Sequence, residues 1–248
     1  NIELSNAIAI SGTVTVANVE TINVKTEDTD TETAQNVQAL SLTATSATSV
    51  VVTGNAGANL TGSSFSTDLT SFDASAVTAG AVTYTSGALT KASTVKGGAG
   101  DDVINMAAAT AAVVLSGNAG NDTLTGGTLA DTINGGEGND NFRTHFAVSN
   151  QFDGNSGNNT MDYSNANASQ KIVVTLDGAN FKDVIIGSGA VVDRVKNIQN
   201  IYGGAGDDII IGDGNSNILD GGSGDDLISG IAGLNTLRGG AGNDTIYG

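Results

Sequence analysis

GGAGDDIII-GDGNSNILD-GGSGDDLIS-GIAGLNTLR-GGAGNDTIY, the run from Gly203 to Tyr247, repeats itself every nine residues. Each copy opens on a glycine, at Gly203, Gly212, Gly221, Gly230 and Gly239. The sixth residues are Asp208, Asn217, Asp226, Asn235 and Asp244, and the eighth are Ile210, Leu219, Ile228, Leu237 and Ile246. The pattern is G-G-x-G-x-D-x-U-x, with U a large apolar residue. So short a period is the mark of a stacked repeat, in which each unit buries its apolar residue against the next.

Working outward, the same pattern begins at Gly97 and again at Gly117, Gly126 and Gly135, with Asp102, Asp122, Asp131 and Asp140 at position six. A weaker copy starts at Gly154 and carries Asn159. Its eighth residues, Ile104, Leu124, Ile133, Phe142 and Met161, are again all apolar. Residues 163–202 interrupt the rhythm as a strand-rich insertion. Residues 1–96 read differently: they hold few of the 35 glycines and alternate Thr, Val and Ala, as in Thr13-Val14-Thr15-Val16 and Ser49-Val50-Val51-Val52, a period-two strand signal. Asn18-Val19-Glu20-Thr21-Ile22-Asn23-Val24 is echoed by Asn36-Val37-Gln38-Ala39-Leu40-Ser41-Leu42, which suggests a solenoid coil of eighteen residues. The expected organisation is therefore a Thr/Ala/Val-rich solenoid over 1–96, a first repeat array over 97–162, the insertion, and a second array over 203–248. The fold class is all-β, a parallel β-solenoid.

Composition narrows the function. The chain has 26 Asp and Glu against 9 Lys and Arg, a net charge of −17, which disfavours nucleic acid and favours multivalent cations. Proline is absent, as a long backbone hydrogen-bond ladder requires. Cysteine is absent too, so neither disulfides nor thiolate metal sites are available, and no apolar run is long enough for a membrane span. One histidine, His145, and no tryptophan leave no set for zinc hydrolysis or Cys/His chemistry, and few aromatics to line a glycosidase cleft. His145 reads as a loop residue, and Asp101, Asp207 and Asp225 at position five as solvated turn residues. Phe72-Asp73-Ala74-Ser75 and Met161-Asp162-Tyr163-Ser164 resemble each other and leave two readings open, extra calcium oxygens or capped turns, of which capping is favoured slightly. The chain is not expected to be an enzyme.

The nonapeptides over 97–143 and 203–247 resemble the RTX calcium-binding repeat family. The resemblance implies a β-roll with two nonapeptides per turn, the glycine-rich half forming a turn and the x-U-x half a short strand. It also implies calcium ions between stacked turns, held by position-six carboxylates and turn carbonyls. Matching residues are Asp102, Asp122, Asp131, Asp140, Asp208, Asp226 and Asp244, with Gly98, Gly100 and Asn118, which stands where the pattern has a second glycine, as turn residues of the site. Asn159, Asn217 and Asn235 depart from the pattern. Type I secretion and an extracellular location follow from the same resemblance, as does a C-terminal secretion signal not seen before Gly248.

The chemistry suits calcium, which takes six to eight oxygens at about 2.3–2.6 Å in a tolerant geometry. Glycines at the first, second and fourth positions are expected to permit positive φ. One apolar side chain per nine residues returns less than ordering a glycine-rich backbone costs, so ion binding is expected to drive folding. Copies eighteen residues apart should stack, placing Asp208, Asp226 and Asp244 on one side and Asn217 and Asn235 on the other. In the earlier array the same rule makes a column of Asp102, Asp122, Asp140 and Asn159, and the strong sites are expected on one side of the roll. The functional expectation is a self-assembling cell-surface protein, a surface-layer lattice or fibre, with a surface polysaccharide as a further partner. The alternatives are an accessory module of a secreted enzyme or the spacer of an adhesin.

Overall fold

A computed structural model describes residues 2–5, 13–29, 37–189 and 191–248. Among these residues every regular element is a strand, and no helix is long and apolar enough to cross a membrane. The chain forms two compact units, residues 1–137 and 138–248, each a parallel β-solenoid.

The first unit has two main walls. One stacks Thr21–Glu27, Ser49–Gly54, Ser71–Val77, Ser93–Lys96, Val113–Ala119 and Thr132–Glu137. Every second side chain turns inward, so Ile22, Val50, Phe72, Val95, Leu115 and Ile133 lie in register as one buried column. The facing wall runs through Val37–Ala39, Gly57–Asn59, Val82–Thr85, Val103–Asn105 and Thr123–Thr125, with Tyr84, Ile104 and Leu124 aligned. Phe72 and Tyr84 stack between the walls at 4.2 Å between ring centroids, filling the wider interior of these coils.

The coil narrows along the unit. Thr48 hydrogen-bonds to Glu20 across 28 residues, Thr70 to Thr48 across 22, Asp102 to Asp122 across 20, and Val113 to Asp131 across 18. The wide coils have a third wall, Thr13–Thr15, Ser41–Ala44 and Ser64–Phe65, and the narrow ones do without it. The eighteen-residue coil expected near the N-terminus is therefore corrected. Thr21–Glu27 lies on one wall, whereas the described part of its echo splits between Val37–Ala39 on a second and Ser41–Ala44 on the third. Inward–outward alternation looks alike on every wall, so the echo recorded strand periodicity and not coil length. Asn36 lies outside the described residues.

In the second unit one wall stacks Asn141–Arg143, Thr160–Asp162, Asn200–Tyr202, Ile218–Ser223 and Thr236–Ala241. The other runs in the order Gln151–Ser156, Val191–Lys196, Lys182–Ile186, Ile172–Thr175, Ile209–Ile211, Leu227–Ser229 and Thr245–Tyr247. The insertion thus enters this wall as a meander, in which Lys182–Ile186 pairs antiparallel to both its neighbours. Of the ten apolar eighth residues, those from Ile104 to Ile228 are buried, and Leu237 and Ile246 in the last coil are partly open to solvent.

Candidate metal centre

The sixth residue of each nonapeptide ends a turn and precedes a strand, and its side chain points inward beneath that turn. Asp102, Asp122, Asp131, Asp140, Asp208 and Asp226 are all buried. In Asp102, Asp122, Asp131, Asp208, Asp226 and Asp244 one carboxylate oxygen does the same thing: it accepts a backbone N–H from the preceding coil. In the first unit Val82 donates to Asp102 at 2.6 Å, Asp102 to Asp122 at 2.7 Å and Val113 to Asp131 at 2.8 Å. In the second, Ile172 donates to Asp208 at 2.7 Å, Asp208 to Asp226 at 2.7 Å and Asp226 to Asp244 at 3.0 Å.

The other oxygen separates two kinds of turn. At Gly98, Gly127 and Gly204 the second-position N–H donates to it, at 2.5, 2.6 and 2.9 Å. At Asn118, Gly136, Gly222 and Gly240 the second residue has φ of 81°, 130°, 96° and 108°. There the Gly222 N–H donates to Asp220 instead, at 3.2 Å, and Asp226 Oδ2 is left buried with no hydrogen-bond partner. Asn118 tolerates the left-handed backbone as asparagine does, and its Nδ2 donates to the Gly97 carbonyl at 2.7 Å.

The first glycine has a different reason from the one expected. Its φ is not positive at Gly97, Gly117, Gly203 or Gly221; the constraint is space. A Cβ at Gly221 would collide with Asp226 Oδ2 and meet the Gly239 carbonyl, and at Gly203 it would meet Asp208 Oδ2 and the Gly221 carbonyl. Gly97 and Gly117 repeat this with Asp102 and the Gly117 carbonyl, and with Asp122 and the Gly135 carbonyl. A carboxylate oxygen and a carbonyl oxygen thus converge on each bare glycine. Two converging oxygens repel unless a donor or a cation lies between them, and a hard cation accepts this donor mix. Burial shows the same imbalance: it pushes Asp102 and Asp226 up to about 6, despite the N–H groups that pull the other way, and it raises Asp208. Among the described residues no three acidic or histidine side chains cluster, so an ion here would draw many of its oxygens from turn carbonyls.

The expected residues fall on both walls. In the first unit Asp102 and Asp122 stack on one and Asp131 lies on the other; in the second, Asp208, Asp226 and Asp244 share one wall, while Asp140 stacks with Asn159 on the opposite one. The one-sided arrangement holds for the last array and not for the roll as a whole. Gly98 and Gly100 sit in the turn above Asp102. Asp101, Asp207 and Asp225 are exposed and receive the position-five N–H of the next coil, from Asn121, Asp225 and Asn243. Asp73 and Asp162 accept the N–H two residues on, from Ser75 and Ser164, as capped turns do.

Two residues escaped the pattern. Buried Asp193 accepts the Asn150 N–H at 2.8 Å, as the repeat aspartates do, and the Tyr163 hydroxyl at 3.3 Å. Gln199 Oε1 accepts the Asn159 N–H at 2.7 Å. Both stand at position six of a D-x-U-x pattern, in Asp193-Arg194-Val195-Lys196 and Gln199-Asn200-Ile201-Tyr202, but Ser188 and Val191, and Arg194 and Asn197, replace the first- and fourth-position glycines that would have announced it.

The family model of the RTX calcium-binding nonapeptide repeat matches this chain in four copies, over residues 89–105, 114–144, 198–228 and 229–248. These segments are RTX repeats. They contain the carboxylate turns just described, and RTX repeats bind calcium, several ions to an array. A 65-residue stretch is also 40% identical to metallopeptidase AprA of Pseudomonas marginalis. That stretch spans 25% of this chain and 13% of the metallopeptidase, so the likeness concerns a small part of that protein.

Proposed function

We propose that this chain is a calcium-dependent extracellular structural domain, in which Asp102, Asp122, Asp131, Asp140, Asp208, Asp226 and Asp244 ligate calcium together with turn carbonyls. The observation that carries this reading is the recurrent convergence of a buried carboxylate oxygen and a carbonyl oxygen over a bare glycine, most plainly at Gly221 with Asp226. Calcium completes these turns, so its supply outside the cell sets whether the roll stacks. Self-assembly at the cell surface, as a lattice or fibre, is the larger role that a long acidic solenoid without a catalytic set suits best.

The second reading, an accessory module of a secreted enzyme, is favoured by the 65-residue likeness to a metallopeptidase. Electron microscopy with sedimentation velocity, in chelator and in millimolar calcium, separates the two. Ordered sheets or fibres, and a sedimentation coefficient that rises with concentration, support assembly. A monomer over a hundredfold concentration range supports the module.

A further inference from the structure

We infer that the amide column of the second unit is a metal-independent counterpart of the carboxylate column, with side-chain NH2 groups standing where the other wall needs a cation. The inference rests on the calcium reading of the carboxylates. Asn159, Gln199, Asn217 and Asn235 follow one another along a single wall. The coil-to-coil contact recurs at three of them: Asp140 donates to Asn159 at 2.8 Å, Asn159 to Gln199 at 2.7 Å and Asn217 to Asn235 at 2.9 Å, while Asn217 Oδ1 takes the Asp213 N–H of its own turn at 3.1 Å. The coil-to-coil contact is the one the aspartates make on the opposite wall.

The difference lies at the other end of the side chain. Asn159 Nδ2 donates to the Asn197 carbonyl at 3.0 Å, Asn217 Nδ2 to the Gln199 carbonyl at 2.8 Å, and Asn235 Nδ2 to the Gly230 carbonyl at 3.0 Å and the Ala232 carbonyl at 2.9 Å. Across the unit, Asp226 Oδ2 and the Gly239 carbonyl crowd the same space over Gly221, and Asp226 Oδ2 has no hydrogen-bond partner, whereas Asp208 Oδ2 takes the Gly204 N–H. Asn159 and Asn235 turn Nδ2 toward the first glycine of their turns, whereas Asn217 turns Oδ1 there, where it takes the Asp213 N–H; an amide carries both a donor and an acceptor and no charge, so it satisfies the turn alone. A carboxylate presents a second acceptor and a negative charge. The choice of Asp or Asn at position six therefore sets how much calcium each wall demands.

This leads to a counterintuitive outcome: replacing a ligand with its amide lowers the calcium requirement. The test uses the full chain, with folding followed by far-UV circular dichroism against free calcium and bound calcium counted by equilibrium dialysis. Asp226→Asn is expected to lower the calcium midpoint at least threefold and to reduce bound calcium, and Asn217→Asp to raise the midpoint at least threefold. A midpoint raised by Asp226→Asn, or failure of that variant to fold at any calcium level, overturns the inference. So does a fall in bound calcium on Asn217→Ser, because an ion would then sit on the amide wall. A parent chain that binds no calcium defeats the calcium reading itself, and the parent titration shows this before any variant is made.

Discussion

Gly221 illustrates how much a single residue fixes. A Cβ there would occupy the space shared by Asp226 Oδ2 and the Gly239 carbonyl, whereas one at Gly87 would meet nothing within 4 Å. Gly221→Ala should raise the calcium midpoint for folding severalfold and Gly87→Ala should leave it unchanged, both read by circular dichroism. Positions six and eight were legible from the sequence because a fixed period assigns their roles. The role of the first glycine was not, because period alone cannot tell a positive φ from a crowded Cα. Asp193 was hidden for another reason, since the glycines before it, Gly187 and Gly189, miss the first and fourth positions of a nonapeptide. Burial pushes its carboxyl up to about 7 from an ordinary 3.8, even though Asn150 and Tyr163 donate to it. A group raised in the folded state favours folding fully below its unfolded pKa, and that contribution is lost as pH rises through the folded one. Asp193 therefore costs stability between about pH 4 and 7 and above. Asp193→Asn in saturating calcium should melt higher than the parent at pH 8, by about 2–4 °C for each kcal/mol recovered, and show no gain at pH 4. An equal loss at both pH values would contradict this.

At the scale of the element, each short strand contributes one inward apolar side chain, and the stack holds through columns of them. Ile228 lies between Ile210 and Ile246 in register and is fully buried, so Ile228→Ala should cost about 2–5 kcal/mol. Leu234 is 90% exposed in its turn, and Leu234→Ala should be neutral. Thermal melts of the two variants in calcium check the contrast. The strand half of the nonapeptides was readable because its alternation is two-sided and strict. The wide coils near the N-terminus were not, since a coil of 28 residues with three walls leaves no fixed spacing between like residues. The meander of 163–202 was visible as strands, but antiparallel pairing depends on which strand finds which edge, and a composition of Val, Ile and Lys does not encode that.

For the whole molecule the governing quantity is charge. A net charge of −17, with carboxylates stacked one coil apart, opposes the compact state wherever no cation offsets it. The narrow coils give each nonapeptide a single large apolar residue, so burial alone leaves little margin once the glycine-rich turns have been ordered. Calcium binding supplies the missing stabilisation, and magnesium should replace it poorly because it keeps its waters and demands a rigid six-oxygen shell. The most direct measurement is far-UV circular dichroism of the full chain in chelator, in millimolar magnesium and in millimolar calcium. The account predicts a largely disordered spectrum in the first two and a β-sheet spectrum with a cooperative melt in the third. A full β spectrum and an unchanged melting temperature in chelator would contradict it.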